Sequence, residues 1–183
     1  VNYNVTTSIA SAIKLMDVYS GDQMRQIAYD HMGTLYNPST LTLLGSKNTN
    51  WQNEIFRNAF SQDHNVSVSG AYKILPYQVS VGYTNQDGIM KNTNMERLTG
   101  AISLNPSFLN NSLNVTVNAK GMTTKQNYGD YGALGSAINM DPTQPIYDGN
   151  PASAGYFQWA NYGANLGTPN PVEQLMAADN KAD

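Results

Sequence analysis

Residues 67–88 read SVSGAYKILPYQVSVGYTNQDG. Valine and tyrosine alternate here with serine, glycine, glutamine and threonine. Because successive side chains of a β-strand point to opposite faces, this period of two predicts a pair of strands. The short KILP segment, residues 73–76, predicts the turn between them, since Pro76 suits a turn or the start of a strand. The stretch is therefore expected to form a β-hairpin with one apolar face and one face of small uncharged residues.

The same alternation extends outward from the hairpin along much of the chain. It predicts strands near residues 1–11, 64–72, 77–84, 97–105 and 113–120. Residues 63–122 are thus expected to form an antiparallel β-meander within a single partial domain, residues 1–183. The predicted fold class is mainly β, with short α-helices in long loops.

The connections between the predicted strands fall into two length classes. Residues 12–62 and 123–171 are long loops, whereas residues 73–76 and 106–111 are short turns. If the strands run alternately up and down, both long loops emerge at one end of the sheet. Strands of about ten residues with this asymmetry are typical of outer-membrane β-barrels. Residues 172–183 are expected to start the next strand.

Helices are expected within the long loops. Ser20 and Gln23 have the spacing of a capping box, and apolar residues at helical spacing follow them. Another short helix is expected near residues 132–139. A helix starting near Asn50 would place these apolar residues on one side: Trp51, Ile55, Phe56, Ala59 and Phe60.

The composition argues against several classes of function. Charged residues make up 13% of the 183 residues, about half of the ~25% typical of soluble domains. A net charge of −3 argues against a nucleic-acid-binding surface. With no cysteine and two histidines, the chain offers few metal ligands. No apolar run approaches the ~20 residues of a membrane-spanning helix. The sequence opens at Val1 without a signal peptide, and we interpret it as a piece of a longer protein.

The distribution of charge separates two β architectures. A soluble β-sandwich and a membrane barrel both exclude charge from the apolar face, where Glu96 at a strand margin is the exception. The opposite face meets bulk water in a sandwich and normally mixes lysine and glutamate with threonine. Here that face carries serine, threonine, asparagine, glutamine and glycine, with Arg97 and Lys120 nearly the only charges. The pattern favours the barrel, as do tyrosines near the strand ends.

Five stretches, spread over nearly the whole chain, carry a family resemblance. The longest is NWQNEIFRNAFSQDHNVSVSGAYKILPYQVSVGYTNQDGIMK, residues 50–91. The others are LMDVYSGDQMRQIA, LNPSFLNNSLNVTVNAKGM, INMDPTQPIYDG and NPVEQLMAADNKAD. In sequence and order they resemble the SusC/RagA family of TonB-linked outer-membrane transporters of Bacteroidetes. The resemblance implies that the chain covers about the first five strands after the plug domain of a barrel of ~22 strands.

The resemblance also implies a function and partners. Such transporters take up large nutrients, typically glycans or peptides, without enzymatic activity or a cofactor. A SusD-like surface lipoprotein closes over the barrel mouth, and TonB supplies energy through regions outside this sequence. The implied location is the cell outer membrane, with lipid against the apolar face and residues 12–62 and 123–171 extracellular. The alternative is a soluble β-rich module for nutrient binding or cell-surface adhesion.

Aromatic residues are dense in the second long loop and give the candidate binding residues. Aromatic faces stack on sugar rings and anchor protein interfaces, although long loops also use them to build their own core. The candidate contacts to nutrient or partner are Tyr128, Tyr131, Tyr147, Tyr156, Phe157, Trp159 and Tyr162.

Catalytic and metal-binding residues are not predicted. Asp63 and His64 are adjacent, so on a strand they point to opposite faces, and no nucleophile accompanies them. A metal site needs more donors than His31 and His64 offer. The YDGN segment, residues 147–150, has oxygen ligands but no spaced acidic series, so it predicts a turn.

An isolated chain of this kind has open strand edges and an apolar face without lipid. Two outcomes are expected. The chain can self-associate by edge pairing, or its hairpins can fold onto the loop helices and bury Trp51, Phe56 and the valine stripe.

Overall fold

The computed structural model describes residues 1–32, 34, 41–110, 112–163 and 167–182. Its main feature is a six-stranded antiparallel sheet with the strand order β1-β2-β3-β4-β7-β8. Strands β5 and β6 form a separate small hairpin. The strands are β1 Asn2–Ala10, β2 Ala59–Tyr72, β3 Leu75–Asp87, β4 Asn94–Leu104, β5 Ser107–Phe108, β6 Leu113–Asn114, β7 Val117–Tyr128 and β8 Asn180–Ala182. The fold is mainly β, as predicted. The six-stranded sheet is open and does not close into a barrel.

The strand register places the apolar side chains of neighbouring strands on one face. Val66 lies opposite Tyr3 on one side and Val81 on the other. In the next row, Val79 lies opposite Val68 and Ile102. This apolar face is not covered, since Val66 and Val81 remain 42% and 51% exposed.

The apolar face ends in a polar row near the long loops. Glu96 lies opposite Asn85 and Lys125 in this row. Lys125 is a second charge on this face, beyond the predicted end of its strand. From Asn85 to Leu75, strands tilted by about 40° would span roughly 26 Å, close to the ~25 Å apolar band of outer-membrane barrels.

The opposite face is polar and nearly neutral. Thr84 lies between Asp63 and Arg97 in one cross-strand row. Its hydroxyl donates to an Asp63 carboxylate oxygen at 2.6 Å and accepts a hydrogen bond from Arg97 at 3.4 Å. Two charged side chains of this face, Asp63 and Arg97, are thus linked through a small hydroxyl group.

The connections emerge at two ends of the sheet. Residues 73–74 and 105–116 connect strands at one end, where Lys73 adopts a positive φ of 53° in the tight β2–β3 turn. Residues 11–58, 88–93 and 129–179 connect strands at the other end. The strands extend further into the expected loops than the alternation indicated, because β2 begins at Ala59 and β7 continues to Tyr128.

Four helices lie in the described parts of the long connections: α1 Gly21–Asp30, α2 Trp51–Ile55, α3 Gly132–Asn139 and α4 Pro171–Ala177. Ser20 and Gln23 form the predicted capping box of α1. Helix α2 is shorter than expected: its C-cap, Phe56, is extended, and Ala59 already belongs to β2. None of the helices in the described part of the chain is long and apolar enough to cross a membrane.

In residues 172–183, where the next strand is expected to start, most of a short helix precedes the strand. Asn170 caps helix α4, and Pro171 occupies its first turn, where proline is well tolerated. The strand β8 begins only at Asn180 and pairs with the last residues of β7.

The buried core lies in the connections and not under the sheet. Its members are Trp51, Ile55, Met90, Ala133, Ala137, Met140, Phe157, Trp159, Val172 and Leu175. The expectation that the hairpins fold onto the loop helices is therefore wrong. Trp51 is buried among other loop residues and not against the hairpins. The helices lie beyond the end of the strands, where their apolar sides pack against one another.

Candidate functional site

The described parts of three connections at one end of the sheet pack into a single unit, here called the loop assembly; the connections are residues 11–58, 88–93 and 129–179. Residue Met90 of the shortest connection is buried in the shared core, beside residues of α2, α3 and α4. The assembly is the part of the chain in which the structure brings distant aromatic residues together.

Helix α2 is hydrogen-bonded to both long connections through the side chains of Trp51 and Gln52. The indole nitrogen of Trp51 donates to the Asp141 carbonyl oxygen at 2.9 Å. The side-chain amide of the buried Gln52 makes two bonds to the backbone of Met16, donating to its carbonyl at 2.8 Å and accepting from its N–H at 2.9 Å. One glutamine side chain thus satisfies both backbone hydrogen-bonding groups of Met16.

Arg57 fastens the first connection to the β3–β4 connection. Its guanidinium donates to the Gly88 carbonyl at 3.1 Å and to the Thr93 carbonyl at 2.8 Å. It also forms an ion pair with Asp87 at 3.2 Å. Because both partners of the ion pair are about one-third exposed, the two carbonyl contacts matter most for position.

Residues 45–49 lie against residues 142–144. The N–H groups of Lys47 and Thr49 donate to the carbonyls of Thr143 and Pro142 at 2.9 and 2.8 Å. A Cβ atom at Gly45 would lie 2.1 Å from the Thr143 carbonyl oxygen. This close approach explains a glycine at position 45.

Asn170 joins three parts of the second long connection. It is fully buried. Its Nδ2 donates to the carbonyls of Ile146 and Phe157 at 2.9 and 3.2 Å. Its Oδ1 accepts from the N–H groups of Val172 and Glu173 at 3.0 and 3.4 Å. All these contacts are internal, so the residue holds the loop in shape and does not face a ligand.

The segment between Ile146 and Phe157 is a tight loop closed by their backbone hydrogen bond of 3.0 Å. Gly149 and Gly155 have positive φ values of 79° and 87° there, and Ala154 has 50°. The YDGN segment does not form the expected turn: Tyr147 forms a β-bridge with Tyr156, and the turn of this loop lies at Ala154 and Gly155. The loop is rigidly bonded, which is what a fixed recognition surface requires.

Three tyrosines lie in and beside this tight loop. The rings of Tyr147 and Tyr156 lie 4.9 Å apart. Burial raises the pKa of Tyr156 above its usual 10.0, and the hydrogen bond with Tyr147 adds to this. The hydroxyl of Tyr162 donates to an Asp148 carboxylate oxygen at 3.0 Å, and this bond raises the pKa of Tyr162. Both phenols are therefore neutral hydrogen-bonding groups at physiological pH.

Two of the candidate contacts are core residues. Phe157 and Trp159 are only 4% and 6% exposed, and their rings meet edge to face at 5.1 Å. Tyr162 stacks on Phe157 at 5.4 Å. A ligand on the assembly would therefore meet the tyrosine, with the phenylalanine and the tryptophan supporting it from below.

Tyr128 and Tyr131 lie apart from the other candidates. They line a groove of about 220 Å³ at the loop end of β3, β4 and β7. Gln86, Met95 and Gln126 also line it, and the register places these three in one row of the polar face. The groove therefore opens onto the polar side of the sheet, and Tyr131 is 66% exposed beside it.

A second cleft, of about 500 Å³, was not indicated by the sequence. Its walls include Tyr19, Met24, Trp51, Asn139, Asp141 and Trp159. These residues come from both long connections, so no local pattern could have grouped them. Trp51 was assigned to packing from its helical spacing, and most of its surface is indeed buried.

The acid and histidine candidates do not form a reactive site. Nδ1 of His64 lies 2.6 Å from the Tyr3 hydroxyl on the apolar face, whereas Asp63 bonds Thr84 on the polar face. Within the described ranges, no group of three or more His, Asp or Glu side chains is placed to hold a metal ion.

Comparison with known proteins gives a consistent picture. No family model matches the chain. It is 42% identical to the TonB-dependent receptor SusC of Bacteroides thetaiotaomicron over 175 residues, which are 93% of this chain. It is 27% identical to the TonB-dependent receptor P26 of Formosa agariphila over 91% of this chain. The chain belongs to the SusC/RagA family.

The structural comparison supports the same fold. The RagAB peptide transporter structure matches with a TM-score of 0.63 at 16% identity, over 93% of this chain and 23% of that chain. The SusC/RagA-type segment described here spans 17% of the length of the two curated relatives. The relatives are named as receptors and the structure as a transporter.

Proposed function

We propose that the chain is part of a TonB-dependent transporter that takes up glycans or peptides across the outer membrane. It contributes a section of barrel wall and the loops for contact with nutrient or lipoprotein. The observation that carries this proposal is the sheet itself, combined with the 42% identity to SusC. One face is an uncharged apolar band of about membrane height, the other is polar and nearly neutral, and all long connections leave at one end.

The loop end is the extracellular end in this proposal, because long loops of such barrels face outward and short turns face the periplasm. A SusD-like surface lipoprotein contacts the loop assembly, while TonB acts through regions of the longer protein. The name RagAB denotes a peptide transporter, and SusC is named as a receptor. Both nutrient classes predicted from the sequence therefore stay in the proposal.

The two tyrosine groups suit two different partners. Tyr128 and Tyr131 border the groove on the polar face, which is the lumen side of a barrel, and we assign them to the nutrient. Tyr147, Tyr156 and Tyr162 lie in and beside the tight loop of the assembly, and we assign them to the lipoprotein. Their rings supply apolar area and their neutral hydroxyls supply hydrogen bonds, a combination common in interfaces.

The location of the full-length parent is tested first. It should sediment with the outer-membrane fraction and require detergent for extraction. A parent that is freely soluble in periplasm or medium would support the alternative of a soluble binding module and end the transporter proposal.

The assignment of the tyrosines is tested in the same parent protein. Replacing Tyr128 and Tyr131 by alanine should weaken nutrient binding about tenfold while lipoprotein co-purification is unchanged. Replacing Tyr147 and Tyr162 by alanine should have the opposite pattern. Tyr29→Ala is the matched control, since Tyr29 is a similarly exposed tyrosine on α1. Equal effects from all three sets would refute the assignment.

A further inference from the structure

The cleft of about 500 Å³ lies between the two long connections of the loop assembly. Tyr19 and Met24 line it from the first connection, and Ile138 and Trp159 line it from the second. Its volume falls within the ~300–1,000 Å³ of small-molecule sites, and most of its lining residues are apolar or aromatic, as in such sites. Among the described residues, it shares none with the groove on the polar face. The cleft is therefore a separate site.

The start of helix α1 fixes one wall of the cleft. Tyr19 and Met24 occupy the two positions of a hydrophobic staple around the capping box of this helix. A Cβ atom at Gly21 would lie 2.5 Å from the Lys47 carbonyl oxygen and 2.9 Å from that of Pro142. The helix start thus packs tightly against both long connections, and this contact sets the width of the cleft.

Two nearly buried tryptophans support the cleft from within the assembly. The indole nitrogen of Trp51 donates to the Asp141 carbonyl oxygen at 2.9 Å, and the ring of Trp159 packs edge to face on Phe157. Both indoles are held by these contacts and contribute little exposed surface. Tyr19, in contrast, is 66% exposed, so its ring is the aromatic surface that a ligand can cover.

The polar groups of the cleft are mainly hydrogen-bond acceptors. They include the carboxylates of Asp17 and Asp141 and the side-chain oxygen of Asn139, whose amide nitrogen donates to the Gly135 carbonyl at 2.9 Å. None of the described lining residues is lysine, arginine or histidine. An anionic ligand would therefore meet two carboxylates and no cation. Such a lining suits a ligand with many donors, either hydroxyl groups or an ammonium group.

The two carboxylates favour hydroxyl groups over an ammonium group. Both oxygens of Asp141 already accept hydrogen bonds, one from the Thr143 N–H at 2.7 Å and one from the Gln144 side chain at 3.2 Å. The Asp17 carboxylate is almost fully exposed and lies 3.8 Å from the Lys14 ammonium. Neither group is thus a buried counter-ion for a cation, whereas each carboxylate keeps lone pairs that accept from a hydroxyl.

We propose that this cleft binds a neutral sugar ring, with one ring face against Tyr19 and hydroxyl groups donating to Asn139 and Asp141. A sugar ring has a C–H face that packs on an aromatic ring, and the hydroxyl groups at its edge need acceptors. This inference rests on the proposed transport function and narrows it, because the nutrient that reaches this cleft is a neutral glycan. The cleft is then an outer contact for the nutrient, separate from the groove on the polar face.

Binding to the detergent-purified parent protein, in complex with its lipoprotein, tests the site by isothermal titration calorimetry. The probes are hexasaccharides of glucose, mannose, galactose and xylose, the carboxylated hexasaccharide of galacturonic acid, and tetra-alanine. Tyr19→Ala should weaken the binding of a neutral hexasaccharide about tenfold, because the stacking ring is lost. Tyr29→Ala is the matched control, since Tyr29 is similarly exposed outside the cleft and its loss should change nothing. Binding of the carboxylated sugar or tetra-alanine alone, or of no probe, would overturn the proposal.

A second variant leaves the hydrophobic staple intact. Ile138 is a partly exposed residue of α3 in the lining, so Ile138→Trp should fill the cleft without removing apolar surface from the core. Neutral-sugar binding should weaken by about tenfold or more, while the lipoprotein still co-purifies. Unchanged sugar binding in both cleft variants would refute the site and leave the transporter proposal intact. Loss of the lipoprotein with unchanged sugar binding would also refute it and identify the cleft as a protein contact. A freely soluble parent would instead end the transporter proposal, and the same sugar measurements would still decide the cleft.

Discussion

Asn170 shows how one side chain can decide the shape of a long connection. It lies in a loop rich in asparagine, glycine and tyrosine, where the sequence alone gives it no special rank. In the structure its amide joins two carbonyl groups and caps helix α4. A buried polar side chain with every contact internal is a folding determinant, and it sets where the surface tyrosines stand.

Replacing Asn170 by alanine should destabilise the loop assembly by about 2–4 kcal/mol, because a cap is lost and two buried carbonyls lose their donor. Asn50→Ala is the matched control. Asn50 caps α2 through one bond at an exposed site, so its loss should cost about 1 kcal/mol. Urea unfolding in detergent, followed by tryptophan fluorescence, measures both. Equal losses would contradict the role assigned to Asn170.

At the scale of elements, the β2–β3 hairpin contains the most direct test of the membrane face. Val79 and Ser80 are neighbours on one strand that point to opposite faces. Lysine at position 79 would meet lipid near the centre of the band and cost ~2–4 kcal/mol, whereas lysine at position 80 would meet the polar face. Insertion of the parent protein into lipid vesicles should therefore fail or slow for Val79→Lys and persist for Ser80→Lys. A similar loss in both variants would reject the assignment of faces.

The same hairpin shows what the sequence can predict. Alternation of valine and tyrosine with small polar residues predicted β2, β3 and β4 because strand periodicity is a local signal. Helix α4 was not predicted: Asn170 followed by Pro171 is a start signal, yet the helix has only seven residues and little periodic pattern. Strand ends were also extended beyond prediction, since pairing with a neighbour continues through polar residues such as Lys125.

The sequence predicted the residues of the candidate site but not which of them are buried, because their burial depends on tertiary contacts. The sequence identified the aromatic residues of the second connection but could not sort them. Phe157 and Trp159 became core because α2 and Met90, from other connections, pack on the same cluster. The division of the tyrosines between the groove and the tight loop likewise depends on contacts that no local pattern records.

The whole molecule consists of two differently stabilised parts. The loop assembly has its own buried core and hydrogen-bond network, whereas the sheet is held by its backbone ladder and leaves its apolar face exposed. The links between them run through a few side chains at the sheet end. Among these, Asn92 donates to the carbonyls of Leu175 and Ala178 at 2.7 and 3.0 Å and accepts from Asn127 at 3.0 Å.

We therefore expect the two parts to unfold separately in urea when the chain is held in detergent micelles. Both tryptophans of the chain, Trp51 and Trp159, lie in the loop core, so fluorescence reports the assembly, while far-ultraviolet circular dichroism reports mainly the sheet. The fluorescence transition should occur at the lower urea concentration, because the small loop core lacks the protection that detergent gives the sheet. Asn170→Ala should move the fluorescence transition alone. Coincident transitions that shift together in this variant would show instead that the loop assembly and the sheet fold as one cooperative unit.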